Sequence, residues 1–178
     1  GSDTSGMTRS IPVEKILDDC LIAWAMNGEA LRPEQGYPAR LVVPGWEGNM
    51  WVKWIRRLEF GDKPYMTREE TSKYTDLLRD GKARMFTWVM EAKSVVTSPS
   101  PEKPILHKGI QQLRGLAWSG KGKIKRVDVS LDGGKNWRTA QLHAPIMSKS
   151  LVRFTLPFEW SGEELLIQSR AIDETGYV

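Results

Sequence analysis

Two cations, Arg40 and Lys53, lie in a run rich in proline and glycine, QGYPARLVVPGWEGNMWVKW, which spans residues 35–54. Proline restricts φ and glycine relaxes it, so the loop from Gly45 to Met50 is expected to be well defined. Glycine N–H groups beside a guanidinium and an ammonium can bind an anion such as a phosphate ester. The alternative is that both cations are solvated and that Arg40 is an ordinary ion-pair partner.

The sequence lacks the residue patterns of a hydrolytic triad, a zinc site and a nucleotide-binding loop. The two histidines, His107 and His143, lie among loop residues without a serine or cysteine motif, so a hydrolytic triad is not indicated. The single cysteine, Cys20, and these distant histidines fit no zinc spacing, and the apolar run around Cys20 predicts a small buried hydrophobe. The sequence contains neither a P-loop nor a dinucleotide fingerprint.

Composition limits the partners. The chain has 178 residues, 40% of them apolar, which is enough to bury a core. The net charge is +4, but the 26 basic residues are interspersed with 22 acidic ones, so we do not expect nucleic-acid binding. No apolar run approaches the roughly 20 residues of a membrane span, so we expect no membrane partner.

The first part of the chain is predicted to mix helices and strands. We expect a short helix from Ser10, as its N-cap, to Asp18, and a second helix over 67–80 with a Thr67–Glu70 capping-box spacing. Strands are predicted over 20–26, where an Asn-Gly turn follows, over 41–43, and over 51–60.

The second part is predicted to be all-β. Short apolar segments separated by turn residues recur from Arg84 onward, and residues 127–131 alternate with a period of two. This spacing is typical of a β-sandwich. We therefore predict two domains, 1–82 and 83–178, in which an α+β domain is followed by a β-sandwich.

One turn of the second part has the S-x-D-G-G-x-x-W form of an Asp-box, from Ser130 to Trp137. In sialidase propellers this motif is a structural hairpin that recurs on successive blades. Here it occurs once, and the second part is too short for several blades. A structural hairpin is therefore favoured over a sugar-binding role.

Nearly the whole chain resembles the sulfite oxidase family of molybdenum enzymes. The similarity lies in SIPVEKILD and AWAMNGEAL, in the run over 35–54, and in GLAWSGKGKIKRVDVSLDGGKNW and QSRAIDETGYV. It implies a partial molybdopterin-binding domain followed by the Ig-like domain through which such enzymes dimerise. Within the family, the sequence resembles the sulfane dehydrogenases of bacterial sulfur oxidation, because Gln35 replaces the histidine usual in sulfite oxidases and WEGNM occupies the loop over 46–50.

The resemblance also implies roles for individual residues. Those that match the family's cofactor-binding positions are Asp3, Gln35, Arg40, Trp51, Val52 and Lys53. Arg153 matches an arginine that reaches the anionic substrate, whereas its place in an alternating strand, taken alone, favours a residue of the outward face. The family ligates molybdenum through a cysteine, and Cys20 does not match that position.

The resemblance implies a molybdenum–molybdopterin cofactor and an oxidoreductase acting on a small sulfur anion or on carrier-bound sulfane sulfur. It further implies a cytochrome c electron acceptor, a homodimer and a periplasmic location. The chain begins without Met and lacks the ligand cysteine, so we expect a fragment that is inactive by itself. The alternative is a non-enzymatic Ig-like binding module that contacts a protein or a glycan.

Overall fold

Short antiparallel strands form most of the regular structure in the computed structural model of the chain. The structure describes residues 7–67, 70 and 72–177. The chain divides into two units, residues 1–89 and residues 90–178. The domain limits 1–82 and 83–178 stay a prediction. Along the described ranges, none of the helices has the length and apolar character needed to cross a membrane.

The first unit contains the elements α1 (Val13–Asp19), β1 (Leu21–Ala23), β2 (Ala25–Met26), β3 (Glu29–Ala30), β4 (Arg40–Val42), β5 (Thr75–Leu77) and β6 (Ala83–Met85). These strands form three two-stranded antiparallel sheets, in which β1 pairs with β4, β2 with β3 and β5 with β6. Two 3-10 turns, Pro33–Gln35 and Gly48–Met50, flank β4 in the sequence.

The core of the first unit lies around β4. Its buried apolar residues are Leu41, Val43, Trp46 and Met50. Trp46 stacks on Trp88 with 4.9 Å between ring centroids, and Trp88 stacks on Phe86 at 5.4 Å. The packing holds the segment after β4 against the end of the unit, where the Glu47 N–H donates to the Trp88 carbonyl.

Two predictions for the described part of this unit are wrong. Ser10 is not the N-cap of α1; its hydroxyl instead accepts the Tyr65 N–H and donates to the Tyr65 carbonyl. Residues 51–60 form no strand, because Trp54 adopts the left-handed φ of 53°, which interrupts an extended chain.

The predicted helix over 67–80 does not extend to its C-terminal end. Residues 70 and 72 are helical, residues 68, 69 and 71 lie outside the described residues, and a β-hairpin follows. Strand β5 pairs with β6, and the Gly81 N–H closes the turn on the Leu78 carbonyl. Asp80 followed by Gly81 is a strong hairpin signal, and here it prevailed over the helical spacing of the preceding apolar residues. The Asn27-Gly28 turn was predicted, and β2 and β3 indeed pair across it.

The second unit is an antiparallel sandwich, which confirms the predicted Ig-like fold. Its strands are β7 (Lys93–Ser98), β8 (Gly109–Trp118), β9 (Ile124–Ser130), β10 (Arg138–Thr139), β11 (Gln141–His143), β12 (Val152–Trp160) and β13 (Gln168–Asp173). One sheet has the order β11-β12-β8-β7 and the other β10-β9-β13. Alternate residues of both sheets face the core, which includes Leu113, Val127 and Phe154.

The Asp-box is a structural turn, as predicted. Asp132 accepts the Asn136 N–H at 2.9 Å and its side-chain amide at 2.8 Å, and the Ser130 hydroxyl donates to it at 2.7 Å. The Trp137 indole N–H donates to the Gly134 carbonyl, while the Arg170 guanidinium lies 4.2 Å from the Trp137 ring centroid. The contacts account for the motif without any ligand.

Candidate functional site

A tight turn precedes β4 and carries the first predicted site residue. The 3-10 turn Pro33–Gln35 begins with proline, whose fixed φ suits this position, and ends at Gly36 in a left-handed conformation with φ 113°. The Gly36 N–H donates back to the Arg32 and Pro33 carbonyls. We call residues 32–36 the site turn.

Three consecutive carbonyls of the site turn accept hydrogen bonds from three side chains. The Trp54 indole N–H donates to Pro33 O at 3.0 Å. The Lys53 ammonium donates to Glu34 O at 2.6 Å, and Arg40 Nη1 donates to Gln35 O at 3.0 Å. Both predicted cations are therefore held by the same turn.

Only part of the Arg40 guanidinium has hydrogen-bond partners among the described residues. Its Nε is buried and has no hydrogen-bond partner in the part of the chain that the structure describes. Its guanidinium carbon lies 5.6 Å from the Trp51 ring centroid, within the range of a cation–π contact. A buried charged N–H without an acceptor is costly, which indicates that an acceptor outside these residues completes the site.

Backbone hydrogen bonds join β4 to the segment that carries Lys53. The Leu41 N–H donates to Val52 O at 2.8 Å, and the Ile55 N–H donates to Ala39 O at 3.0 Å. The Val52 N–H is bonded to Met50 O, so both backbone groups of Val52 are already engaged. The role of Val52 in binding a cofactor stays a prediction.

Gln35 is engaged within its own turn. Its side-chain oxygen accepts the Arg32 N–H at 3.1 Å, and its backbone carbonyl accepts Arg40 Nη1. It therefore shapes the site turn directly. Its predicted contact with a cofactor is untested by these bonds.

Sequence reasoning missed Asn49, in the loop before Trp51. Both polar atoms of its side-chain amide are buried and lack hydrogen-bond partners within the described ranges, while its backbone carbonyl accepts Arg9 Nε. An amide offers a donor and an acceptor side by side, which suits a heterocycle edge. The signal in the sequence was only an asparagine between Gly48 and Met50, where a turn residue is ordinary.

Arg153 belongs to the second unit and is exposed in β12. In the register of its sheet it lies opposite Leu116 on one side and His143 on the other. The His143 ring Nε2 is 2.8 Å from the Thr155 hydroxyl, two residues along the same face. This polar row combines the Arg153 guanidinium with the His143 imidazole, which the sequence had not indicated as a site residue.

Two further sequence predictions are not tested by the geometry. Asp3 lies outside the described residues. Cys20 is partly buried beside the core of the first unit. Among the residues that the structure describes, no group of three or more His, Cys, Asp and Glu side chains could hold a metal ion.

Arg40 and Lys53, which are bonded to the site turn, fit an anionic group, and the Asn49 amide, in the loop before Trp51, fits a hydrogen-bonding edge. Arg40 presents a buried N–H without an acceptor, and Asn49 presents an unpaired amide. Gly36 allows Arg40 and Lys53 to pack closely against the turn, since a Cβ there would lie 3.1 Å from the Arg40 Cβ and 3.0 Å from the Lys53 Cβ. A phosphate-bearing pterin has matching chemistry, with phosphate oxygens for the cations and ring edges for the amide.

Comparison with known proteins defines the class. Residues 1–69 match the oxidoreductase molybdopterin binding domain, and residues 84–178 match the Mo-co oxidoreductase dimerisation domain. The chain belongs to the sulfite oxidase family of molybdopterin oxidoreductases. The family implies a molybdenum–molybdopterin cofactor for the whole protein, as the sequence had predicted.

Within the family, the chain is similar to a sulfane dehydrogenase. It is 64% identical to the sulfane dehydrogenase SoxCD from Paracoccus pantotrophus, with a TM-score of 0.91 over 99% of this chain and 46% of that one. It is also 34% identical to chicken (Gallus gallus) sulfite oxidase over 93% of this chain and 39% of the relative. Tobacco (Nicotiana tabacum) nitrate reductase [NADH] 1 is 32% identical to it over 98% of this chain and 23% of the relative. The chain thus spans less than half the length of each relative.

Proposed function

We propose that the chain is part of a molybdenum-cofactor-dependent dehydrogenase that oxidises reduced sulfur compounds. The observation that carries the proposal is Arg40, whose Nε is buried without an acceptor among the described residues. A second cation, Lys53, is bonded to the same turn as Arg40. The similarity to SoxCD supports a sulfur compound as the substrate class.

In this proposal the site turn holds the anionic part of the cofactor. Arg40 donates from Nε, while its Nη1 stays bonded to the Gln35 carbonyl, and Lys53 contributes the two ammonium donors that Glu34 O does not use. Asn49 completes a polar edge of the cofactor. When bound, the cofactor supplies the redox-active metal at which the sulfur compound is oxidised.

Arg153 is the proposed contact for the anionic substrate. It is an exposed guanidinium on a rigid sheet, and its planar fork suits a sulfur oxyanion or a carrier-bound sulfane group. The electrons pass to a cytochrome c in this proposal. The 64% identity to a sulfane dehydrogenase favours sulfane sulfur over sulfite.

The remaining parts of the proposal concern assembly. The second unit joins two copies into a homodimer, as the description of its family suggests. The ligand cysteine for molybdenum comes from another part of the whole protein, so the 178-residue chain alone is inactive. The location is periplasmic.

The test is made on the whole protein. We expect it to contain molybdenum, to release a fluorescent oxidised pterin on denaturation, and to reduce cytochrome c when given a carrier-bound sulfane substrate. A whole protein that binds neither metal nor pterin when produced in a host that makes the cofactor contradicts the proposal. Cofactor binding with turnover of sulfite alone retains the enzyme class and discards the sulfane substrate.

A further inference from the structure

We propose that Gly36 is a positioning residue that sets the separation of Arg40 and Lys53 through the site turn. This inference rests on the proposed function, because it concerns how the two cations meet the anionic cofactor. Gly36 touches no ligand itself in this account. It acts by allowing both cationic side chains to start close together and to be bonded to adjacent carbonyls.

The backbone at Gly36 requires a residue without a side chain. Its φ of 113° lies in the left-handed region that favours glycine. A Cβ at this position would lie 3.0 Å from the Lys53 Cβ, 3.1 Å from the Arg40 Cβ and 3.2 Å from the Lys53 Cα. The side chain would therefore be inserted between the two residues that carry the cations.

The carbonyls of the site turn explain why this separation matters. Gln35 O and Glu34 O are successive acceptors, and they fix Arg40 Nη1 and the Lys53 ammonium at 3.0 Å and 2.6 Å. Each cation thereby loses freedom before any ligand arrives, which favours binding of an anion that needs both. A displaced turn would move both acceptors together.

Trp54 is a second contact that holds the turn. It adopts φ 53°, which is strained for a bulky residue, and its indole N–H donates to Pro33 O at 3.0 Å. The ring also lies 5.8 Å from the Lys53 ammonium. The strained backbone next to Lys53 is thus tied to the turn that accepts Lys53.

Two other glycines provide matched controls for Gly36→Ala in the whole protein. Gly28 has a left-handed φ of 83°, and a Cβ at that position would meet nothing within 4 Å, so Gly28→Ala introduces strain without crowding. Gly48 lies in the same run as the cations, and a Cβ there also meets nothing within 4 Å. A difference confined to Gly36→Ala therefore reports crowding at the cations.

The experiment measures pterin and molybdenum per chain, the rate of pterin loss from loaded protein, and its dependence on salt. We expect Gly36→Ala to lower retention on the order of tenfold, as for other residues that orient a binding group. Its loss rate should also depend less on salt, because misplaced cations contribute less electrostatic attraction. A general loss of stability would lower the melting temperature without changing the salt dependence, and that result would overturn the inference.

Trp54→Phe decides the question where Gly36→Ala fails to accumulate. It removes the bond to Pro33 O while keeping an aromatic ring, and Trp24→Phe, at an indole that is 72% exposed, is its control. We expect faster, less salt-dependent pterin loss in Trp54→Phe alone. If Gly36→Ala folds, the inference is overturned when both variants retain pterin as well as the wild-type protein does. If Gly36→Ala cannot be obtained, wild-type pterin retention in Trp54→Phe alone overturns it. Absence of pterin from the wild-type protein contradicts the proposed function instead.

Discussion

Arg40 shows how one incompletely satisfied side chain can indicate a ligand. Its Nη1 bond to Gln35 O fixes the guanidinium, while the buried Nε has no acceptor within the described residues. Loss of hydrogen-bonding partners from buried charged groups is unfavourable, so such groups are usually paired. The phosphate of a pterin cofactor would supply the missing acceptor.

Arg40→Ala in the whole protein should therefore weaken cofactor binding by about 1.5–3 kcal/mol, the range for hydrogen bonds to charged groups. Molybdenum and pterin per chain measure the loss. Arg56→Ala, at an exposed arginine of the same unit, is the control. Equal occupancy in the two variants would remove Arg40 from the cofactor site.

Arg153 is tested through substrate rather than cofactor. Arg153→Ala should raise KM for an anionic sulfur substrate by removing a charged contact, and should leave pterin content unchanged. Arg114→Ala is a matched control, because Arg114 lies opposite Thr155, two residues along the same face of the sheet. Steady-state kinetics with cytochrome c as the electron acceptor measure KM for the Arg153→Ala and Arg114→Ala variants. An unchanged KM in Arg153→Ala would leave this arginine as a residue of the outward face.

The sequence predicted which side chains matter better than how they are held. Arg40 and Lys53 were named from their types and positions, and in the structure both side chains donate to carbonyls of one turn. Their acceptors are backbone carbonyls, which every residue possesses, so no residue type marks them. Asn49 was missed for a related reason, because burial of its amide depends on tertiary packing.

At the scale of elements, local patterns were decisive only where they agreed with tertiary contacts. The period-two alternation of residues 127–131 predicted β9, whose alternate residues meet a packed core. The apolar spacing over 67–80 indicated a helix, but Asp80 and Gly81 formed a hairpin in which Arg84 bonds Asp76 at 2.7 Å. A charge pair across strands cannot be recognised from helical periodicity.

The Asp-box turn should make stability depend on pH. The backbone N–H of Asn136, then its side-chain amide and the Ser130 hydroxyl, lower the pKa of Asp132 from 3.8 to about 2. Because the folded pKa is the lower one, this stabilisation is present above pH 3.8 and is lost as the pH falls towards about 2.

Asp132→Asn should therefore lower the melting temperature at neutral pH, and its difference from wild type should close across that pH window. Thermal unfolding followed by circular dichroism at successive pH values measures the difference. Glu102→Gln, at an exposed carboxylate, is the control and should show no such convergence. A constant difference for Asp132→Asn at all pH values would contradict the role of its charge.

Gly115 in β8 is required by packing. A Cβ there would collide with the Phe154 ring, which is fully buried, and with the Val95 carbonyl. Gly115→Ala should cost about 1–3 kcal/mol of unfolding free energy, as overpacking of a core does. Urea denaturation measures it. In a Phe154→Leu background, Gly115→Ala should cost less unfolding free energy than it does in the wild-type background. An equal cost in both backgrounds would place the strain at the backbone.

At the scale of the whole molecule, membership of the dimerisation-domain family must be reconciled with the surface of the second unit. That unit exposes large apolar side chains, including Ile110 at 85%, Leu106 at 76% and Leu166 at 64%. A stable homodimer buries about 1,200–2,000 Å² or more, with apolar residues at its centre. The exposed side chains are therefore candidates for the dimer interface.

The whole protein should accordingly sediment as a dimer over a broad concentration range. Ile110→Lys, Leu106→Lys and Leu166→Lys, made singly, should identify the interface, because burying an unpaired charge at its centre favours the monomer. Ser148→Lys, at an exposed polar position of the turn before β12, controls for added charge alone. Retention of pterin in a monomeric variant would show that the site turn does not depend on the second copy. A wild-type protein that sediments as a monomer at every concentration would contradict dimerisation through this unit.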